Sequence, residues 1–132
     1  MIHQIEVRTA RRTEFVDITA RVQAIVRESG IQDGLCVIHA PHTTAGLTLN
    51  ENADPDVSRD IQDKLSELAP HSGHYAHLEG NADAHIKASL MGFNLTLMVE
   101  NGRLVLGTWQ GIYLAEFDGP RSRRVLVKVR AD

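Results

Sequence analysis

One cysteine, four prolines and 5% aromatic residues are sparse allotments for 132 residues, and each scarcity excludes something. The lone Cys36 cannot form an internal bridge, so a disulfide-stapled scaffold is out. No apolar run approaches the ~18 residues that cross a bilayer as a helix. The opening residues 1–8 lack the long apolar stretch of a secretory leader, so a cytoplasmic location is expected. Neither sign of charge dominates: 14 Lys and Arg stand against 17 Asp and Glu, a formal net charge of −3. That balance leaves no electrostatic footprint for nucleic acid or an anionic membrane, and neither partner is expected. Low-complexity tracts, charge blocks and internal repeats are missing too. So are a Walker loop, a dinucleotide-binding fingerprint, a nucleophile elbow and an HExxH motif.

What is there is a chain 42% hydrophobic, long enough to bury a core without staples. Its ten glycines are scattered as punctuation, so a single domain over 1–132 is expected. Ile2, Ile5 and Val7 open an extended strand, which Phe15–Ile18 resumes. Ile18, Val22, Ile25 and Val26 recur on one helical face that Gly30 ends. Leu35–Ile38 is a continuous apolar run read as a buried strand, and Leu47–Leu49 is extended. Asp54–Pro55 is an N-cap followed by proline at the first helical position, and Val57, Ile61, Leu65 and Leu68 make that helix's stripe. After a His-rich loop over 71–81, Asn81 caps a shorter helix containing Ile86 and Leu90, closed by Gly92. The rest reads as strands: Leu95–Val99, the Asn101–Gly102 hairpin turn, Arg103–Leu106, then 108–117 and Val125–Val129. The expected class is α+β, a compact domain of mainly antiparallel strands in packed sheets with about three helices.

Polar residues cluster where chemistry would sit. Four of the seven histidines fall within 71–85, while His39 and His42 flank the end of a strand. Three neutral imidazoles converging from different segments suit a divalent transition metal with one position left open. The simpler reading of His71 and His74 is as solvated loop residues, and of His39 as a satisfied strand-end side chain. His85, in the first turn of the third helix, sits where the helix dipole favours neutral imidazole and an adjacent anion. In Asn50–Asp56, Asp54 is accounted for by capping and Asp56 by the helix dipole, which leaves Glu51 without a structural explanation and Asn50 able to orient it. Gln110 and Glu116 share one face of a long strand and need partners, across a sheet or in a pocket. Trp109 and Tyr113, on the other face, read as core or subunit-contact residues. Arg121, Arg123 and Arg124 are solvated hairpin charges or a phosphate site. Cys36 reads as buried filler.

Three long blocks resemble the YjbQ-like family, in that family's order: residues 42–57 (HTTAGLTLNENADPDV), 75–89 (YAHLEGNADAHIKAS) and 106–116 (LGTWQGIYLAE), running on to Arg124. The resemblance implies a homotrimer with a polar pocket near the subunit boundary. It also implies a thiamine-phosphate-synthase-like activity of secondary character, joining a pyrimidine diphosphate to a thiazole phosphate. Carried over by motif, His42, His77 and His85 are the metal candidates, for zinc or magnesium. Glu51, His85, Asn50 and Glu116 are the catalytic candidates, and Asn81, Lys87, Gln110, Arg121 and Thr43 the contacts to a phosphorylated ligand. Two other functions use the same residues: metal-dependent hydrolysis with Glu51 as base, and a non-catalytic trimeric module that binds an anionic metabolite.

Overall fold

The computed structural model describes residues 1–132. Eight strands and three helices run in the order β1 (His3–Arg8), β2 (Glu14–Asp17), α1 (Thr19–Ser29), β3 (Gly34–His39), β4 (Ala45–Glu51), α2 (Pro55–Leu68), α3 (Ala82–Met91), β5 (Asn94–Glu100), β6 (Arg103–Leu104), β7 (Gln110–Glu116) and β8 (Ser122–Ala131). All pairings are antiparallel. One sheet has the order β1-β8-β3-β5-β6 and the other β2-β7-β4.

Alternation builds the layers. Ile5 and Val7 of β1, Cys36 and Ile38 of β3, and Val125 and Val127 of β8 turn inward from the larger sheet. They meet Ala45 and Leu47 of β4, Ile112 and Leu114 of β7, and Val22 and Val26 of α1 in the main core. The opposite face of the smaller sheet packs Ala115 and Phe117 on Leu65 of α2 and on Ala84 and Ala88 of α3. Strand β7 is therefore buried on both faces from Gly111 to Glu116. At roughly 25 cal/mol per Å² of apolar surface, burial on both faces stabilises it more than burial on one. The thiol of Cys36 lies in the main core and burial pushes its pKa up to about 11, which keeps it protonated filler.

Several caps fall where expected. Gly30 ends α1 at φ 72°, and the Asp54 side chain accepts from Asp56 N–H ahead of Pro55. Asn101 and Gly102 both take positive φ at the hairpin turn. Other local expectations are corrected. Leu35 and Val37 are exposed, because the outer face of the larger sheet carries no covering element of this chain. Trp109 lies outside β7 and is 61% exposed rather than core. In α3 the apolar side chains Ile86 and Leu90 are exposed while Asp83 and Lys87 are buried. The reason is close packing: a Cβ on Gly46 of β4 would lie 2.5 Å from Gly92 O and 3.3 Å from Ala88 O. Only the small Ala84 and Ala88 fit against that strand, and the helix turns its larger apolar residues outward.

The two sheets are tied at one end by a buried ion pair. Arg123, on the inward face of β8, donates from Nε to Glu116 Oε1 at 2.8 Å and from Nη2 to Glu116 Oε2. Glu116 also accepts from Thr9 Oγ1 at 2.7 Å and from the N–H groups of Phe117 and Asp118 at 3.1 and 3.0 Å. Burial alone would push this carboxyl's pKa up, but those donors, Arg123 first, outweigh it and hold it below the usual glutamate range. A lowered folded pKa contributes stability that is present above the unfolded value and lost as pH falls through the folded one. Glu116→Ala should therefore cost about 3–5 kcal/mol in urea unfolding at pH 7, because it strands a buried guanidinium. That cost should shrink as the pH is lowered beneath about 4.3.

Candidate functional site

The residues expected to carry chemistry separate into two groups along the smaller sheet. Glu51 pairs with Gln110 at one end of the β4–β7 ladder, and Ala45 pairs with Glu116 at the other. Six residue steps at ~3.3 Å put those ends about 20 Å apart. Asn50, Glu51 and Gln110 lie at the first end. His42 and Thr43, just ahead of β4, Glu116, and Arg121, just ahead of β8, lie at the second. The first group is occupied with local structure. Asn50 Oδ1 accepts from Glu51 N–H at 2.7 Å, Glu51 Oε2 accepts from Asp54 N–H at 3.2 Å, and Gln110 Oε1 accepts from Gly107 N–H at 2.8 Å. Glu51 thus has the structural explanation that sequence reasoning did not find: it steadies the approach to α2.

At the second end His42 lies against a groove of about 460 Å³ lined by Gln4, Glu6, Arg8, His42, Arg123 and Arg124, with Val7 and Ser122. It adjoins a shallower hollow of about 330 Å³ that shares Arg8 and Ser122 and adds Arg121. The imidazole is fixed by the β8 backbone: His42 Nε2 is 3.0 Å from Arg124 N and 3.1 Å from Arg124 O. Burial first, then the positive charge of Arg123, lower its pKa, against the Arg124 carbonyl and Glu116, which raise it. The result is a neutral imidazole beside arginines. Another hollow, of about 430 Å³ between α1 and the Asn101–Gly102 turn, contains none of the expected site residues.

The start of α3 forms a second cluster. Lys87 is 3% exposed. Its ammonium meets Asp83 Oδ2 at 3.3 Å, one turn back. Arg12 bridges Asp83 Oδ1 at 3.1 Å and Asp118 Oδ1 at 3.4 Å, and Arg121 Nη2 reaches Asp118 Oδ2 at 3.1 Å. Burial raises the Asp118 carboxyl, but Asn81 and Arg121 more than offset this and leave its pKa lowered. Asn81 stands at the N-cap position without making the capping bond. Its Nδ2 donates instead to Asp118 Oδ2 at 2.9 Å, and its Oδ1 is buried with no partner. The rings of His77 and His85 stack edge to face, centroids 5.3 Å apart.

The expected three-imidazole metal site is not assembled by one chain: no three His, Cys, Asp or Glu side chains come together in a set that could hold an ion. His77 and His85 adjoin, but Nε2 of His42 is turned onto the β8 backbone. Asp83 and Asp118, two carboxylates near α3's start, are taken by Arg12, Lys87 and Arg121. Sequence reasoning missed Arg8, Arg12, Asp83 and Asp118, and read Arg123 as a hairpin charge or part of a phosphate site, not as the buried partner of Glu116. Two signals were available. Arg123 shares its strand face with Val125, Val127 and Val129, and Asp83–Lys87 is an i,i+4 ion pair flanking Ala84 and Ala88.

Comparison with known proteins agrees with this fold over the whole chain. The sequence profile described as UPF0047 protein YjbQ-like matches residues 3–132. A UPF0047 protein of Methanocaldococcus jannaschii is 51% identical over 132 residues, covering 100% of this chain and 96% of its own. YugU of Bacillus subtilis is 48% identical, covering 98% of each. A Clostridium acetobutylicum structure of the YjbQ/UPF0047 family superposes with a TM-score of 0.95 at 55% identity, covering 97% of this chain and 99% of that one. A Sulfolobus solfataricus YbjQ-like protein of unknown function gives 0.96 at 39%, covering 100% and 97%.

The lowered His42 pKa has a definite sign. The folded state disfavours the imidazolium, so its contribution to stability is present above the unfolded value, about 6.5, and lost as pH falls through the folded one. In NMR titration the His42 ring should protonate below pH 6.5. In Arg123→Lys, which keeps the charge, it should stay low.

Proposed function

This chain belongs to the YjbQ-like UPF0047 family, and from that premise we propose that it binds phosphorylated small molecules in the arginine-lined groove around His42. We assign it a secondary thiamine-phosphate-synthase activity there. In that reaction the thiazole nitrogen bonds to the methylene carbon of the pyrimidine diphosphate while the bond from that carbon to the diphosphate oxygen breaks. The barrier lies in separating diphosphate from a carbon that is becoming cationic. Donors fixed in advance around the leaving oxygens lower it most. The observation that carries this reading is the groove: the side chains of Arg8 and Arg124 against one carboxylate, Glu6, with the His42 imidazole, whose pKa is lowered, alongside. Arginine is the side chain suited to phosphoryl oxygens. A divalent ion, when bound, supplies further charge neutralisation. The ligands one chain brings together do not make its site.

The homotrimer belongs to the same proposal. Its support is the uncovered face of the larger sheet, where Leu35, Val37 and Met98 stand exposed, together with the separation of Glu51 from His42. A site shared between copies reunites those two residues. A second reading, metal-dependent hydrolysis, is favoured by the adjacent His77 and His85 rings, with a third ligand from a neighbouring copy.

Purified protein should form thiamine phosphate from the two phosphorylated precursors. His42→Ala, His85→Ala and Glu51→Ala should each lower turnover by about 10²-fold or more, with circular dichroism unchanged. Mixed assemblies of His42→Ala and Glu51→Ala chains should regain activity, because in a closed ring some sites then receive both wild-type residues. Turnover untouched in all three variants removes the synthase reading. Hydrolysis of a phosphorylated precursor with no thiamine phosphate formed, lost to chelators and restored by zinc, favours the second reading instead.

A further inference from the structure

Strand β3 stops short of its partner, and a histidine ring takes over. In the β3–β8 ladder His39 pairs with Leu126, so the same register two residues further on would set Pro41 against Arg124. Proline has no N–H to give a ladder, and the backbone N–H and C=O of Arg124 face the His42 ring instead. Its Nε2 lies 3.0 Å from Arg124 N and 3.1 Å from Arg124 O. One ring nitrogen cannot serve both: accepting from the N–H requires a bare Nε2, and donating to the carbonyl requires a protonated one. The N–H is the stricter claimant, because folded chains rarely leave an N–H without an acceptor and more often leave a carbonyl partly satisfied. The lowered pKa of the ring favours its neutral form, and a neutral ring with Nε2 bare carries its proton on Nδ1. The contacts to Arg124 are the only hydrogen bonds of this ring, so Nδ1 has no partner in the chain. Asn81 Oδ1 is the one buried side-chain polar atom left unpaired, so Nδ1 is not sealed in, and the open space that His42 lines is the groove.

We propose that His42 serves its ligand as a fixed Nδ1–H donor to a phosphoryl oxygen, and not as a general base. This rests on the reading of the groove as a phosphorylated-ligand site and names what the ring offers there. A base needs a lone pair, and the one on this neutral ring is spent on the Arg124 N–H. The same bond holds the ring in place, so little rotamer freedom is left to lose when a ligand arrives. The surroundings suit an anion. Arg8 and Arg124 line the same groove, and its one carboxylate, Glu6, stands directly across from Arg124 in the β1–β8 ladder. In the synthase reaction such a donor meets an oxygen of the departing diphosphate, where negative charge builds.

The test is a long-range ¹H–¹⁵N correlation spectrum of the full chain, which separates the two neutral tautomers of histidine. It is recorded through a titration with inorganic diphosphate and matched to calorimetry. Wild type should show His42 as the Nδ1–H form, and the ring signals should shift saturably with the calorimetric Kd. His42→Gln keeps an acceptor for the Arg124 N–H and loses the donor, so it should weaken diphosphate binding about tenfold or more. His42→Asn sets an amide N–H near the Nδ1 position and should bind more tightly than His42→Gln. An Nε2–H ring overturns the proposal, because it frees the Nδ1 lone pair for a base or a metal ion. So does a wild type that binds no diphosphate, one that binds it with the His42 ring unmoved, or a folded His42→Gln that binds as tightly as wild type. If His42→Gln does not fold, the wild-type spectrum decides. An Nε2–H ring in a protein that makes thiamine phosphate sinks this inference alone. An Nδ1–H ring that responds to diphosphate in a protein that makes none retires the synthase reading alone.

Discussion

The Glu116–Arg123 pair is the constraint on which the second end of the molecule depends. It joins the last residue of β7 to the second of β8 across the main core, and Thr9 and Thr44 complete its bonding from the segments just after β1 and just before β4. Four chain segments thereby converge on one charge pair. A pair so deeply withdrawn from water contributes little net stability by itself, because desolvation offsets much of the attraction. What it fixes is relative position: the start of β8 in the larger sheet against the end of β7 in the smaller one, and with it the place where His42 rests on the β8 backbone.

A second network of the same kind sets the start of α3. Arg12 holds Asp83 and Asp118 together, Lys87 closes the pair from one turn further along, and Arg121 covers the outer oxygen of Asp118. Each carboxylate has at least one cationic partner, which is how charges so little exposed persist. The two networks meet at the β7–β8 turn, since Asp118 follows Glu116 by two residues and its N–H donates to Glu116. The polar groups around His42 and those around His85 are thus parts of one connected framework, although the imidazoles do not share a guest within a single chain.

Much of this architecture was legible in the sequence. The helix bounded by Gly30, the Asp54–Pro55 start, the Asn101–Gly102 turn and the α+β class all follow from local rules about capping, φ and periodicity, and all are present. Legibility failed where the deciding partner is distant in sequence. Leu35–Ile38 reads as buried on both sides, but whether a strand's second face is covered depends on elements elsewhere. Ile86 and Leu90 look like the inward stripe of α3, yet Gly46, some forty residues earlier, admits only alanines. Glu116 invites a catalytic reading because an acid in an apolar strand demands a partner, and that partner lies on the next strand. Glu51 appears free because its bond to Asp54 N–H belongs to an ordinary turn. Family blocks locate such residues without saying which of them hold the scaffold and which face the ligand.

The pairing of β1 with β8 carries a consequence for how the molecule comes into being. The first strand made on the ribosome has its ladder partner in the last one, and β2 likewise waits for β7. Contact order is therefore high, and closure belongs to the slow end of the folding spectrum. Throughout synthesis the nascent chain displays unmatched strand edges and half of a hydrophobic core. Those are the features that chaperones engage and that aggregation exploits.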